Sequence, residues 1–164
     1  MESTETSTSL ESSLKSCSIS TATDRDLEIL GQMGHVFAQL YGKNIMAFDT
    51  QVFLAKMRQY QTELSGIILC SHENWELTGA IAGLRYENVF DGAPCATELF
   101  WYVWPGAQRG TGTQLLDAFE KWAKGRGCTR VTMAYMLHNA PDRLAHFYEK
   151  RGYEAFETHY VKLI

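Results

Sequence analysis

A single mixed α/β domain is the fold class this sequence predicts, on three observations. Segments with apolar residues at helical spacing alternate with short segments rich in branched and aromatic residues. Their order reads β-α-α-β-β-β-α-β-α-β-β, with no internal repeat and no linker-like break in composition. The 164 residues are enough to bury one substantial core without staples.

The elements follow in order. MESTETSTSLESSLKS is acidic and rich in Ser and Thr, so it lacks the apolar surface to order itself. Residues 1–17 are therefore expected to form a tail ahead of a domain at 18–164. SISTA (Ser18 to Ala22) is a first short strand. Thr23 caps a helix with Asp24 and Asp26 in its first turn, where negative charge is favoured. Leu27, Leu30, Met33, Phe37, Leu40 and Tyr41 give that helix one buried stripe. A loop, Tyr41 to Asp49, leads to a second helix that carries Phe53, Met57 and Tyr60 on one face. From Leu64 the period changes: LSGIILCS, TGAIAGLRYENV and TELFWYVW read as strands separated by HENWEL and FDGAPC turns. In the last of them Glu98, Phe100, Tyr102 and Trp104 alternate with Leu99, Trp101 and Val103. A helix with Leu115, Leu116, Phe119, Trp122 and Ala123 on its apolar face ends at GRG, and TRVTMAYM follows as a strand. Pro141 opens the last helix, Gly152 stops it, and YEAFETHYVKLI is expected to close the chain as one or two strands.

Composition excludes several function classes. The formal charge of −4 gives no general pull toward nucleic acid or an anionic membrane, and only a local basic groove would change that. No apolar run is long enough to span a bilayer, and the N-terminus resembles neither a signal nor a transit peptide. Cys17, Cys70, Cys95 and Cys128 are widely spaced, with no His at metal-ligand spacing, so they read as reduced thiols of a cytoplasmic protein that holds no metal.

The stretch WPGAQRGTGTQLL (Trp104 to Leu116) carries the chemistry. A helix N-terminus presents unpaired N–H groups, glycines let the backbone approach a ligand, and Arg109 adds a charged fork. That combination suits a phosphate. A dinucleotide fingerprint would need a third glycine where Leu115 stands, and the NTPase loop needs a Gly-Lys-Ser/Thr ending that is absent. On local sequence alone, a strand-to-helix turn capped by Thr111 or Thr113 competes evenly with a phosphate cradle.

In context the stretch says more. An aromatic strand, then RGTGTQLL, an amphipathic helix ending in Gly, a strand, and a helix ending FYEKRGY together resemble the GCN5-related N-acetyltransferase (GNAT) family. Aligned on Leu115 and Leu116, Gly110 and Gly112 fall on the family's two loop glycines, and Ala107 falls where Gln or Arg is usual, beside Gln108 and Arg109. The motif order is most specific from Glu98 to Tyr153. The ending E-x-x-Y-x-K (Glu157, Tyr160, Lys162) is similar to members found in tailed bacteriophages. The resemblance implies a single-domain fold with a mixed, mostly antiparallel sheet, a splayed central strand pair and about four helices. It implies acetyl-CoA as donor, its pyrophosphate on the N–H groups of Gln108, Arg109, Gly110, Thr111, Gly112 and Thr113. The pantetheine arm would pair with the freed backbone of Tyr102 and Val103, and Asn139 would contact that arm or position a water, with helix capping as its competing role.

Acetyl transfer to an amine needs a base, because an alkylammonium has a pKa of about 10, and an acid for the departing thiolate. The resemblance places Tyr148 beside the sulfur as acid and Glu98 as base, directly or through a water. A core-packed tyrosine and an exposed strand-end carboxylate are the plainer readings of the same two residues. His35, His138, His146 and His159 have no argument beyond residue type, and Tyr86, Glu87, Trp101 and Trp104 flank the acceptor side or the core. The acceptor is an amine on a small molecule, a protein lysine or an N-terminus, and edge strands offer two copies a surface to pair across. The alternative is a GNAT-fold binding module with little or no catalysis, which would bind acetyl-CoA without releasing thiol.

Overall fold

The computed structural model describes residues 17–42, 45–137 and 139–164. The expected tail, except its last residue, and His138 lie outside the described residues. Nine elements follow the expected order up to the final helix: β1 (Cys17–Thr21), α1 (Asp24–Tyr41), α2 (Thr50–Thr62), β2 (Gly66–Glu73), β3 (Glu76–Glu87), β4 (Pro94–Val103), α3 (Thr111–Gly125), β5 (Arg130–Thr132) and α4 (Pro141–Lys150). Thr23 caps α1 in a reciprocal box with Asp26, and the Asp49 carboxylate accepts the Gln51 and Val52 N–H groups at the start of α2.

The five strands form one sheet in sequence order, antiparallel from β1 to β4 and parallel between β4 and β5. Helices α1 and α2 cover one face, where Leu27, Leu30, Met33 and Met57 pack on Ile68, Ala80, Ala82, Phe100 and Tyr102. Helix α3 covers the other, with Leu115, Phe119 and Ala123 against Leu69, Ile81 and Ala96. A sheet sandwiched between helices therefore builds two apolar layers from one chain.

The structure departs from the sequence expectation in two places. The strand expected over TRVTMAYM shortens to Arg130–Thr132, because β5 pairs only with Cys95, Ala96 and Thr97 of β4. The closing segment after Gly152 forms no strand, and Phe156, Tyr160, Val161 and Leu163 are exposed. Strand-like composition makes a strand only when a neighbouring edge supplies the other half of the ladder.

Candidate active site

Strand β4 is the spine of the site. Its partners across β3 run in register from Val103↔Gly79 to Phe100↔Ala82, then shift so that Glu98 faces Gly83 and Leu99 is the extra residue of a β-bulge. On its other edge β5 stops at Thr132, so from Glu98 to Val103 β4 has no strand beside it. The strand pair is splayed: the Trp104 N–H donates to the Thr78 carbonyl, so by alternation Tyr102 also turns its backbone groups toward β3, and those of Trp101 and Val103 face the open edge. An unpaired strand edge is a template for another extended chain.

At the upper end of that edge, Trp104 leads into the loop and α3. Gly106 and Gly110 both have φ of 95°, a left-handed conformation that a side chain resists. Gly110 is the residue before α3 and offers no side-chain cap. The Gln108 N–H donates to Glu73 Oε1 at 2.7 Å, and the Thr111 N–H donates to the Gln108 carbonyl at 3.1 Å. Among the described residues no acceptor takes up the N–H groups of Arg109, Gly110, Gly112 or Thr113. Four donors at the positive end of a helix dipole make an anion cradle. Neither threonine caps the helix: the Thr111 hydroxyl is buried against the Gln108 carbonyl at 2.7 Å. Gly112 differs: a Cβ there would lie 3.4 Å from Trp101 and 3.7 Å from Val103, ordinary contact distances, so the packing of α3 on β4 at this point does not require a glycine.

Below the cradle, α4 and the chain after β5 close the splay. Tyr148 is buried and ringed by Trp101, Tyr135, Phe147 and Tyr153 at 5.4 to 6.4 Å between centroids. Its neighbour Phe147 is only partly buried, and Arg151 covers its ring at 5.8 Å. Arg151 ties α4 to α3 through Asp117 and Glu120, and the Tyr153 hydroxyl joins Glu120 at 2.8 Å.

The Tyr148 hydroxyl donates to the Ala134 carbonyl at 3.3 Å, and the Ala134 N–H hydrogen-bonds the Glu98 carboxylate. One residue, Ala134, thus brings the two sequence-derived catalytic candidates together through its two backbone groups. Burial pushes the Glu98 carboxyl up to about 7, against the pull of the Ala134 N–H. Glu98 is neither a fully exposed strand-end carboxylate nor a satisfied core group. Burial, and then the charge on Glu98, raise Tyr148, which keeps it a phenol at any working pH. Asn139 sits in the loop before α4, where Ala140 is the N-cap residue and no side chain caps the helix. Its amide is therefore not spent on capping.

Sequence reasoning missed Glu73. It ends β2, is 9% exposed, and accepts both the Gln108 N–H and the Thr111 hydroxyl. Its partner lies 35 residues downstream, so no local pattern announces it. A single acidic residue closing a strand before a turn was the only signal.

The comparisons agree with this geometry. A transcriptional regulator from Bacillus halodurans C-125 superposes with a TM-score of 0.75 at 21% identity, over 91% of this chain and 100% of that one. The aminoglycoside N-acetyltransferase AAC(6′)-Iy, solved in complex with CoA, gives 0.72 at 16% identity, over 92% and 95%. In sequence, 47 residues are 47% identical to aminoglycoside N(6′)-acetyltransferase type 1 of Klebsiella aerogenes. That match covers 28% of this chain and 31% of the relative, so it spans about a third of the curated protein's length. The model of the acetyltransferase (GNAT) family matches residues 36–153, and with that span this chain belongs to the acetyltransferase (GNAT) family.

Proposed function

We propose that the protein is an acetyl-CoA-dependent N-acetyltransferase that moves the acetyl group onto a primary amine by direct attack in a ternary complex. The observation that carries this reading is the meeting of Glu98 and Tyr148 on Ala134, beside the open edge of β4 and below the four N–H donors of the α3 cradle.

The pyrophosphate of the donor would take the N–H groups of Arg109, Gly110, Gly112 and Thr113, with Gln108 and Thr111 shaping the loop. The pantetheine arm would run as an extended chain along the backbone groups of Trp101 and Val103 toward Asn139. The thioester would then lie near Glu98 and Tyr148. Glu98 accepts a proton from the amine; its nitrogen attacks the thioester carbonyl and the C–S bond breaks. The new amide keeps the acetyl group, and the electron pair leaves on sulfur as a thiolate. Tyr148 stabilises that thiolate with its hydroxyl hydrogen bond and passes it the proton, and the second proton, which the acylated nitrogen sheds, returns Tyr148 to a phenol. The two steps assist each other: once Glu98 is neutral its charge no longer raises Tyr148, so the phenol becomes a better acid as the thiolate forms.

Chemistry and kinship set the order in which acceptors are tried. The net charge of −4 suits a cationic acceptor, and the aminoglycoside acetyltransferases among the relatives make amino sugars the first acceptors to assay. The resemblance to bacteriophage enzymes rests on Glu157, Tyr160 and Lys162 alone, in the exposed closing segment. The test is calorimetry with CoA, followed by thiol release from acetyl-CoA across aminoglycosides, polyamines and lysine peptides. Saturable binding with amine-dependent thiol release is expected. No binding at millimolar CoA overturns the reading, and binding with no release for any amine favours the non-catalytic module.

A further inference from the structure

We propose that Glu73 is the positioning residue of the donor loop, a buried carboxylate that sets the pyrophosphate cradle before the donor arrives; this rests on the acetyl-CoA reading above. The loop from Trp104 to Gly110 has little to hold it. Two left-handed glycines, Gly106 and Gly110, leave it much conformational freedom to lose, and Ala107 contributes only a methyl group. Among the described residues, two side chains from outside the loop hydrogen-bond its backbone: Thr111, the first residue of α3, donates to the Gln108 carbonyl, and Glu73, from β2, accepts the Gln108 N–H. It binds Gln108, midway between the two glycines.

The platform beneath Glu73 is stiff. Glu73 pairs with Glu76 across a two-residue turn, and Asn74 and Trp75 both take positive φ, 51° and 70°. That geometry matches the twist of a tight hairpin and fixes the strand end. A register shift between Ser71 and His72 further sets the end of β2, where the adjacent His72 pairs with Asp26 of α1 at 2.8 Å. From this anchor, Glu73 Oε1 takes the Gln108 N–H at 2.7 Å and faces the Thr111 hydroxyl at 3.3 Å. The carboxylate also lies at the positive end of α3, where the helix dipole favours it.

The arrangement divides the loop's donors. Gln108 is spent on Glu73 and Thr111 on Gln108, which leaves Arg109, Gly110, Gly112 and Thr113 for the ligand. Holding the first pair orders the second, so the cost of arranging the cradle is met before binding. The carboxylate does this with a negative charge behind an anion site. A neutral acceptor of the same shape would keep the brace and remove the repulsion.

The experiment compares wild type, Glu73→Ala and Glu73→Gln, each first confirmed to be folded by thermal melting. Amide hydrogen exchange at Gln108 is measured without ligand, then CoA affinity and the kinetic constants for acetyl-CoA. In Glu73→Ala, Gln108 exchange should quicken at least tenfold, and CoA affinity should fall about tenfold, the scale of one hydrogen bond to a charged group. KM for acetyl-CoA should rise with that loss while kcat stays near wild type. Glu73→Gln should keep the protection and bind CoA at least as tightly as wild type. Unchanged Gln108 exchange in Glu73→Ala, or a loss in Glu73→Gln as large as in Glu73→Ala, overturns the proposal. Failure of wild type to bind CoA overturns the functional reading instead, and the exchange arm still decides whether Glu73 braces the loop.

Discussion

The sharpest prediction concerns Glu98. Burial raises its carboxyl from the usual 4.5 to about 7. At 1.36 kcal/mol per pH unit, this means that the site disfavours the charged form by about 3.4 kcal/mol. A base with that value is roughly three quarters ionised at pH 7.5 and roughly a tenth at pH 6, so its share of kcat/KM should fall about eightfold between them. Glu98→Gln keeps an oxygen for the Ala134 N–H but cannot take a proton. It should lose about 10²- to 10⁴-fold in kcat/KM, the usual worth of a general base. The assay is thiol release at subsaturating amine from pH 5.5 to 8.5. An amine that loses its own proton adds a common slope to both proteins, so the signature is an inflection near 7 in wild type that Glu98→Gln lacks. Stability gives an independent readout with a fixed sign. The unfolded chain loses the Glu98 proton near 4.5 and the folded one near 7, so wild type should lose stability relative to Glu98→Gln as pH rises across that window. The loss is complete above 7, and about 3 kcal/mol is its ceiling, since Glu98 keeps some exposure to water. A variant within threefold of wild type, or profiles of identical shape, would refute the assignment.

Two further predictions concern the other parts of the site. Tyr148→Phe should lower kcat about 10²-fold while CoA affinity by calorimetry stays within about threefold, because the ring still fills its aromatic pocket; full turnover would remove its role at the sulfur. Gly110→Ala should cost about 1–2 kcal/mol in denaturant melts and weaken CoA binding, since φ of 95° opposes a side chain. Gly112→Ala should bind CoA within about threefold of wild type, as its Cβ would meet Trp101 at ordinary contact distance; equal losses in the two variants would mean that the cradle does not depend on the left-handed turn.

Much of the fold was legible because local chemistry decides it. Thr23 with Asp26, Asp49 before α2, and Pro141 at the start of α4 each mark a helix end where the structure places one. Glu98, Tyr148 and the glycine loop could be named as candidates because strand, loop and helix follow one another in a recognisable order. What stayed hidden depends on distant partners. Glu73 meets its loop only after β2 and β4 are set in one sheet. Tyr148 rather than Phe147 turns inward because Trp101, Tyr135 and Tyr153 gather around it, which helical spacing on α4 alone does not contain. The closing segment has strand composition but no long edge beside it, and composition without an edge is not a strand.

The bulge in β4 explains why the base and the open edge occur at the same place. In an unbroken strand Ala96, Phe100 and Tyr102 would share one face. Here Ala96 packs in the layer beneath α3, while Phe100 and Tyr102 pack beneath α1 and α2, and Trp101 and Val103 have moved to the α3 side. The extra residue at Leu99 inverts the alternation, as a one-residue slip must. Gly83 stands opposite, where a Cβ would come within 2.5 Å of the Phe119 ring and 2.6 Å of the Thr97 carbonyl. A glycine is therefore required for α3 to lie close over the irregular stretch. Parallel pairing with β5 ends at Thr97, the residue before Glu98, so the ladder is lost where the strand bends. The same irregularity leaves Glu98 beside Ala134 and Tyr148, and among the described residues no strand pairs with the outer edge of β4 from Glu98 onward. The proposed catalytic pair and the proposed donor groove thus both lie where one inserted residue breaks the strand.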